Sequence, residues 1–225
     1  MNVVYQPAAR PSGGGYRALA LLSVMSLMML AARCLLTRDF FFLLLSWNLF
    51  LAWVPLWVAE GLSRRLHRGG ASGGWLAAGL GLWLLFLPNA PYIITDLVHV
   101  RHVPEQTLFF DALMLFLFAL TGLLTGLYSQ WRVHRLLQAR LGAGLAWAAM
   151  VAAAVPTSFG IYLGRYGRWN SWDLVASPVR LAEGIWASLQ NPVAWKLTLS
   201  YTFALVVLYV GFTEYVRRRR HEPLD

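Results

Sequence analysis

Pro88-Asn89-Ala90-Pro91-Tyr92-Ile93-Ile94-Thr95-Asp96 decides how this chain folds. It follows an apolar run of thirteen residues, Trp75 to Leu87. As a helix rising about 1.5 Å per residue, that run reaches about 20 Å, short of a hydrocarbon core about 30 Å thick. The Pro-Asn-Ala-Pro stretch and Tyr92 to Thr95 must therefore complete the crossing. The two prolines remove two backbone donors and free carbonyls at a depth where lipid offers no partner. A helix broken here is expected to face protein or a wet cavity. That marks a site without naming a reaction.

Apolar residues make up 58 % of the 225 and charged residues 13 %, which is outside the soluble globular range. Six apolar stretches are each long enough to span a bilayer or nearly so: Ala18–Leu36, Phe40–Ala59, Trp75–Thr95, Leu108–Tyr128, Leu141–Leu163 and Val193–Val216. The expected fold is an all-α integral membrane bundle of six helices, the third broken at Pro88–Pro91. Residues 1–16 read as a flexible tail, 17–216 as one transmembrane domain and 217–225 as a basic tail. In the first stretch Arg10 and Arg17 precede an apolar core that runs on to Arg33-Cys34, longer than a secretion signal, so it is read as an uncleaved helix. Cys34 is the only cysteine and cannot form an internal disulfide.

The net charge is +9, carried by eighteen arginines and one lysine. Nucleic acid is the reflex reading, but the placement argues against it. With six spans, twelve of these cations fall on the side that holds both termini and seven on the other. Short basic loops stay cytoplasmic, so both termini are expected inside, with Arg217 to Arg220 an anchor against anionic lipid. Gly69-Gly70-Ala71-Ser72-Gly73-Gly74 reads as a flexible cytoplasmic turn.

In that topology three separate parts of the chain bring polar groups to the outer leaflet. The outer part of the third helix carries Asn89, Tyr92 and Asp96, followed by His99 and His102. Asp111 lies one turn into the fourth helix, where a buried carboxylate must pair, and Arg165 or Arg168 is the expected partner. Asp96, His99 and His102, at three-residue intervals, would lie on one stripe of a continuing helix, the geometry of a carboxylate–imidazole face for a divalent metal. Asp111 or Asp173 would complete such a set; the alternative is ordinary hydrogen-bonding groups at an interface.

The second dense segment is Gly160-Ile161-Tyr162-Leu163-Gly164-Arg165-Tyr166-Gly167-Arg168-Trp169-Asn170-Ser171-Trp172-Asp173. Gly160 and Gly164 allow close helix approach, and Arg165 and Arg168 suit a phosphate or carboxylate. An aromatic belt with arginines reaching lipid phosphates accounts for Trp169 and Trp172 equally well, while Asn170 and Asp173 exceed what a belt needs. Beyond it, Ser177-Pro178 starts a helix near Val179–Gln190, whose Leu181, Ile185 and Leu189 recur every fourth residue. That pattern suits a helix lying in the interface plane or one capping the bundle. Gly122 and Gly126 form a small-residue packing face, Asn48 reads as an interhelical hydrogen bond and Pro55 as a kink. No nucleophile elbow, phosphate-binding loop, dinucleotide fingerprint or redox motif occurs.

The run Leu84 to Leu97, with Phe110-Asp111 after it, and the run Ser158 to Asp173 resemble a bacterial membrane family catalogued as domain of unknown function 1361. The resemblance implies a multi-pass protein of the cytoplasmic (inner) membrane and assigns no catalytic residue. Three functions follow as expectations. The first is an enzyme or binding site for an anionic lipid or small molecule, with Asp96, Asp111 and Asp173 as acid–base groups and Asn89, Tyr92, Arg165, Arg168, Trp169, Asn170 and Trp172 as ligand contacts. The second is a transporter using the helix break; few buried polar residues in the inner half, Asn48 being the main one, count against it. The third is a scaffold that docks a membrane-protein partner or a second copy through Gly122/Gly126 or the outer aromatic loop.

Overall fold

The computed structural model describes residues 13–68 and 72–221. Residues 1–12 of the expected N-terminal tail and 69–71 of the glycine turn lie outside the described residues. The chain forms α1 (Gly13–Thr37), α2 (Leu44–His67), α3 (Gly73–Phe86), a single turn α4 (Asn89–Tyr92), α5 (Leu108–Leu141), α6 (Ala143–Tyr166), a short α7 (Asp173–Ala176), α8 (Pro178–Leu189) and α9 (Pro192–His221). A 3-10 helix over Ile93–His102 continues α4. There is no strand among the described residues, and six of their helices are long and apolar enough to cross a membrane. The multi-pass all-α bundle is the fold.

Helix α5 sits at the centre. It packs against α1, α2, α4, the 3-10 segment, α6 and α9. Its 34 residues extend about 51 Å, well beyond one hydrocarbon core. Two apolar clusters fill the interior. Leu49, Ala90, Ile93, Met114 and Phe118 belong to one, at the far end of the bundle. Leu62, Trp83, Leu127, Trp131, Met150 and Tyr209 belong to the other, toward the near end, where the described chain begins and ends.

Local chemistry sets the helix ends. Ser72 accepts the Trp75 amide at 3.3 Å and caps α3. Asn191 accepts from Val193 at 2.9 Å ahead of Pro192, starting α9. Ser177 precedes Pro178 as expected, although its side chain makes no capping bond to α8. Arg38 and Arg168 end α1 and α6 in the left-handed region, φ 52° and 55°. Gly142, φ 83° and ψ 169°, is the whole link between α5 and α6.

The interruption in the third span is gentler than two prolines suggest. Pro88 keeps right-handed helical angles, φ −56° and ψ −31°, and the chain tightens to 3-10 winding only from Ile93. At about 2.0 Å per residue, those ten residues reach about 5 Å further than an α-helix would. That extension compensates for the short apolar run.

Two glycine pairs grip this segment from opposite sides. A Cβ on Gly122 would meet the Ala90 carbonyl at 2.6 Å, and one on Gly126 the Ala90 Cβ at 2.9 Å. From α6, a Cβ on Gly160 would meet Pro88 Cγ at 2.6 Å and one on Gly164 would meet Tyr92 at 3.0 Å. The expectation that Gly122/Gly126 docks a separate protein is thereby corrected. That face is filled by the chain's own Ala90, Pro91 and Ile93.

Candidate functional site

The prolines remove the donors to the Leu84 and Leu87 carbonyls, and the Ala90 amide donates to the latter at 3.2 Å. Side chains reach the two carbonyls between them. Asn89 Nδ2 donates to the Phe86 carbonyl at 2.9 Å, and Ser171 Oγ donates to the Leu85 carbonyl at 3.0 Å. Asn89 Nδ2 also donates to Ser171 Oγ at 2.9 Å. Ser171 therefore stitches the Gly-Arg-Trp turn to the helix break, a role its sequence position did not disclose. The break and the turn meet at the far end, as their chemistry anticipated.

Between them lies a cavity of about 250 Å³, just below the usual small-molecule range of about 300–1,000 Å³. Its wall is mainly apolar, with Pro88, Leu51 and Leu163 on the bundle side and Leu181 and Ile185 from α8 opposite. Asn48, Asn89, Tyr92, Asn170 and Ser171 supply the polar groups. Of the expected ligand contacts, Asn89, Tyr92, Trp169 and Asn170 line this space.

Helix α8 closes the cavity because its three faces differ. Leu181, Gly184, Ile185 and Ser188 are the less exposed stripe and turn toward the bundle. Val179, Ala182, Trp186 and Leu189 form an exposed apolar stripe. Arg180, Glu183, Ala187 and Gln190 make the third, mostly polar face. Such a helix can touch protein, lipid and water at once.

The remaining expected residues separate into distinct groups. Asp96 is buried, 5 % exposed, and is not among the residues lining this cavity. Asn48 Nδ2 donates to it at 2.9 Å, Arg165 Nη1 approaches at 3.4 Å and His99 Nε2 at 3.8 Å. The Asp96–His99 contact is the expected three-residue stripe, realised because 3-10 winding brings i and i+3 into line. The His102 side chain, its third member, lies outside the described residues. Among the described residues no group of three His, Cys, Asp or Glu is placed to hold a metal ion.

Asp111 requires a correction. Its partner is neither Arg165 nor Arg168 but Arg33 of α1, whose Nε donates at 2.9 Å. Thr107 Oγ1 donates to the other oxygen at 2.9 Å. Arg33 also contacts Thr37 and, at 3.3 Å, Asp39, and lies 5.5 Å from the Phe42 ring centroid. Arg33 and Asp111 are 3 % and 0 % exposed, so the pair is a buried lock between α1, α5 and their neighbouring link. The signal was legible in principle: Arg33 is the only charge inside the first apolar stretch and stands at the same depth as Asp111.

Asp173 accepts the Asn170 amide at 2.7 Å and shapes the turn after α6. Trp172 is exposed and packs edge-on against Trp47, centroids 6.0 Å apart. Arg168 is exposed at the same turn. A left-handed residue with a side chain costs about 1–2 kcal/mol that glycine does not. Arg168→Gly is therefore expected to leave the melting temperature in detergent unchanged or raise it slightly. Any loss of ligand affinity in that variant belongs to the guanidinium and not to the fold.

The near end holds a second polar network that the sequence reading missed. Glu60 accepts from Arg132 at 2.7 Å, Arg64 at 3.0 Å and Tyr16 at 3.0 Å, tying α1, α2 and α5. Gln130, Arg132 and His134 are all buried, and His134 Nδ1 is 2.7 Å from the Tyr209 hydroxyl. The expected scarcity of buried polar groups in this half is thus overturned. These groups sit beyond Tyr128, where the apolar stretch ends but α5 continues.

A family profile described as a protein of unknown function (DUF1361) matches residues 47–208. The chain belongs to this family. The match spans everything from the aromatic start of α2 to the middle of α9, so both cavity-forming segments of this DUF1361 protein lie inside it. No curated protein and no solved structure matches the chain.

Proposed function

We propose that this DUF1361 protein binds an anionic lipid or lipid-like amphiphile at the far end of the bundle, in the outer leaflet of a bacterial cytoplasmic membrane. The observation that carries the reading is the cavity between the helix break and α8, with apolar walls and amide groups from Asn48, Asn89 and Asn170. An apolar tail fits the wall, the amides orient a polar group, and Arg168 at the neighbouring turn meets the negative charge. The excess of arginine on the near side supports a cytoplasmic placement of that side.

The arrangement favours binding over acid–base chemistry. Asp111 is consumed by Arg33, Asp173 by a backbone amide, and Asp96 lies behind Asn48 outside the cavity lining. Native mass spectrometry after mild detergent extraction tests the reading. An amphiphile is expected to copurify with the wild type and to be lost in Leu181→Trp, which fills the cavity. Trp186→Ala, on the outer face of α8, is expected to retain it. A wild type free of bound amphiphile, or one whose ligand survives Leu181→Trp, overturns the assignment.

Transport is the second reading, favoured by buried polar groups at both depths of the bundle. His134 Nε2 at the near end, and Ser158 Oγ and Thr198 Oγ1 in the far halves of α6 and α9, are buried without a hydrogen-bond partner among the described residues. Such atoms are commonly satisfied by internal water. Cysteines placed along α6 and α9 are expected to react with a water-soluble thiol reagent if a path exists. Uniform protection removes this reading.

A further inference from the structure

A separate cavity of about 170 Å³ opens where α6, the 3-10 segment and α9 meet. Thr95, Tyr162, Arg165, Tyr166 and Tyr201 provide its polar lining, with none of the residues that line the first cavity. None of its described lining residues carries a carboxylate. Tyr162 and Tyr166 stack with centroids 5.0 Å apart, and Tyr166 is 61 % exposed at the rim. Val98, Ile161 and Leu197 complete an apolar floor.

The guanidinium at this cavity has only a long contact to its carboxylate partner. Arg165 meets Asp96 through one nitrogen at 3.4 Å, whereas the buried Arg33–Asp111 contact is 2.9 Å. Arg165 also meets the neutral Tyr92 hydroxyl. Its planar fork can grip two oxygens of a phosphate at once, which a lone long contact to a carboxylate does not use. Three phenol hydroxyls nearby can donate to the remaining oxygens. The apolar floor suits the carbon chain of an ester rather than a bare, fully hydrated ion.

We propose that this cavity binds a phosphate ester, with Arg165 as its bidentate clamp, the tyrosine hydroxyls as further donors and Asp96 as the competing internal partner of Arg165. The ester is either a phospholipid head group or a small soluble phosphate. The two cavities share no lining residue, although Tyr92 of the first touches the Arg165 side chain, and the two assignments are tested by different variants.

Titration by native mass spectrometry in maltoside detergent decides the matter, with glycerol 3-phosphate and phosphatidylglycerol as the two probes. Arg165→Ala is expected to weaken binding about 10- to 100-fold, the usual loss for a charged hydrogen-bonding group, and Arg165→Lys by less. Asp96→Asn is expected to act in the opposite direction and tighten binding, because it removes the competitor. Leu181→Trp in the first cavity is expected to leave the affinity unchanged. Binding of both probes assigns the head group alone; binding of phosphatidylglycerol only assigns the lipid. The proposal is overturned if the wild type binds neither probe, if Arg165 replacements bind as the wild type does, or if Asp96→Asn weakens binding. Should Arg165→Ala fail to fold, unchanged affinity in both Tyr201→Phe and Asp96→Asn overturns it equally.

Discussion

Replacing Arg33 by Met is expected to destabilise the bundle by about 3–5 kcal/mol, the largest single effect predicted for this chain, and Asp111→Leu by less. The first strands Asp111, which is 0 % exposed, without a cation, whereas the second leaves Arg33 its contact to Asp39 at 3.3 Å. The double replacement removes both charges together and is expected to regain much of that loss, so the two effects will be strongly non-additive. Unfolding in mixed micelles, followed by tryptophan fluorescence, measures the four corners of the cycle. Simple additivity would mean that the pair does not join α1 to α5. The lock also predicts that phosphate-ester affinity is unchanged in the double variant, since Arg165 and Asp96 lie in a different cluster.

Gly122→Ala and Gly160→Ala carry the second largest effect. Each new methyl would come within 2.6 Å of rigid atoms, the Ala90 carbonyl in one case and the Pro88 ring in the other. Overpacking of this kind costs about 1–3 kcal/mol. It also pushes the broken span off α5 or α6, and the first cavity is built on that span. Loss of the copurifying amphiphile should therefore accompany the drop in melting temperature. Gly81→Ala is the internal control. Nothing lies within 4 Å of its new methyl, and its helix gains about 0.5–1 kcal/mol from the better helix former. If all three variants melt alike, the glycines do not grip the break.

Several features could be read from residues alone because one physical rule governed each. Hydrocarbon thickness set the six spans. Backbone satisfaction in lipid required internal partners around Pro88–Pro91, and Asn89, Ser171 and the Ala90 amide reach the Phe86, Leu85 and Leu87 carbonyls there. The period of Leu181 and Ile185 gave α8 its buried stripe. What stayed hidden was rotation about each helix axis. In a helix apolar on all sides, such as α3, hydropathy does not say which side faces which neighbour. Asp111 was therefore placed at the right depth but against the wrong arginine, and Gly122 on the right face but against the wrong occupant. The two cavities are a matter of packing shape, which spacing does not encode. Hence the expected contacts fell apart into an Asn89–Tyr92–Trp169–Asn170 group and an Arg165 group.

Gly142 carries a consequence for how the protein is made. Its backbone angles, φ 83° and ψ 169°, belong to a region that essentially only glycine enters. One residue reverses the chain between helices of 34 and 24 residues. Bringing α5 and α6 together closes almost no loop, so their pairing is the docking step least opposed by chain entropy as the protein assembles.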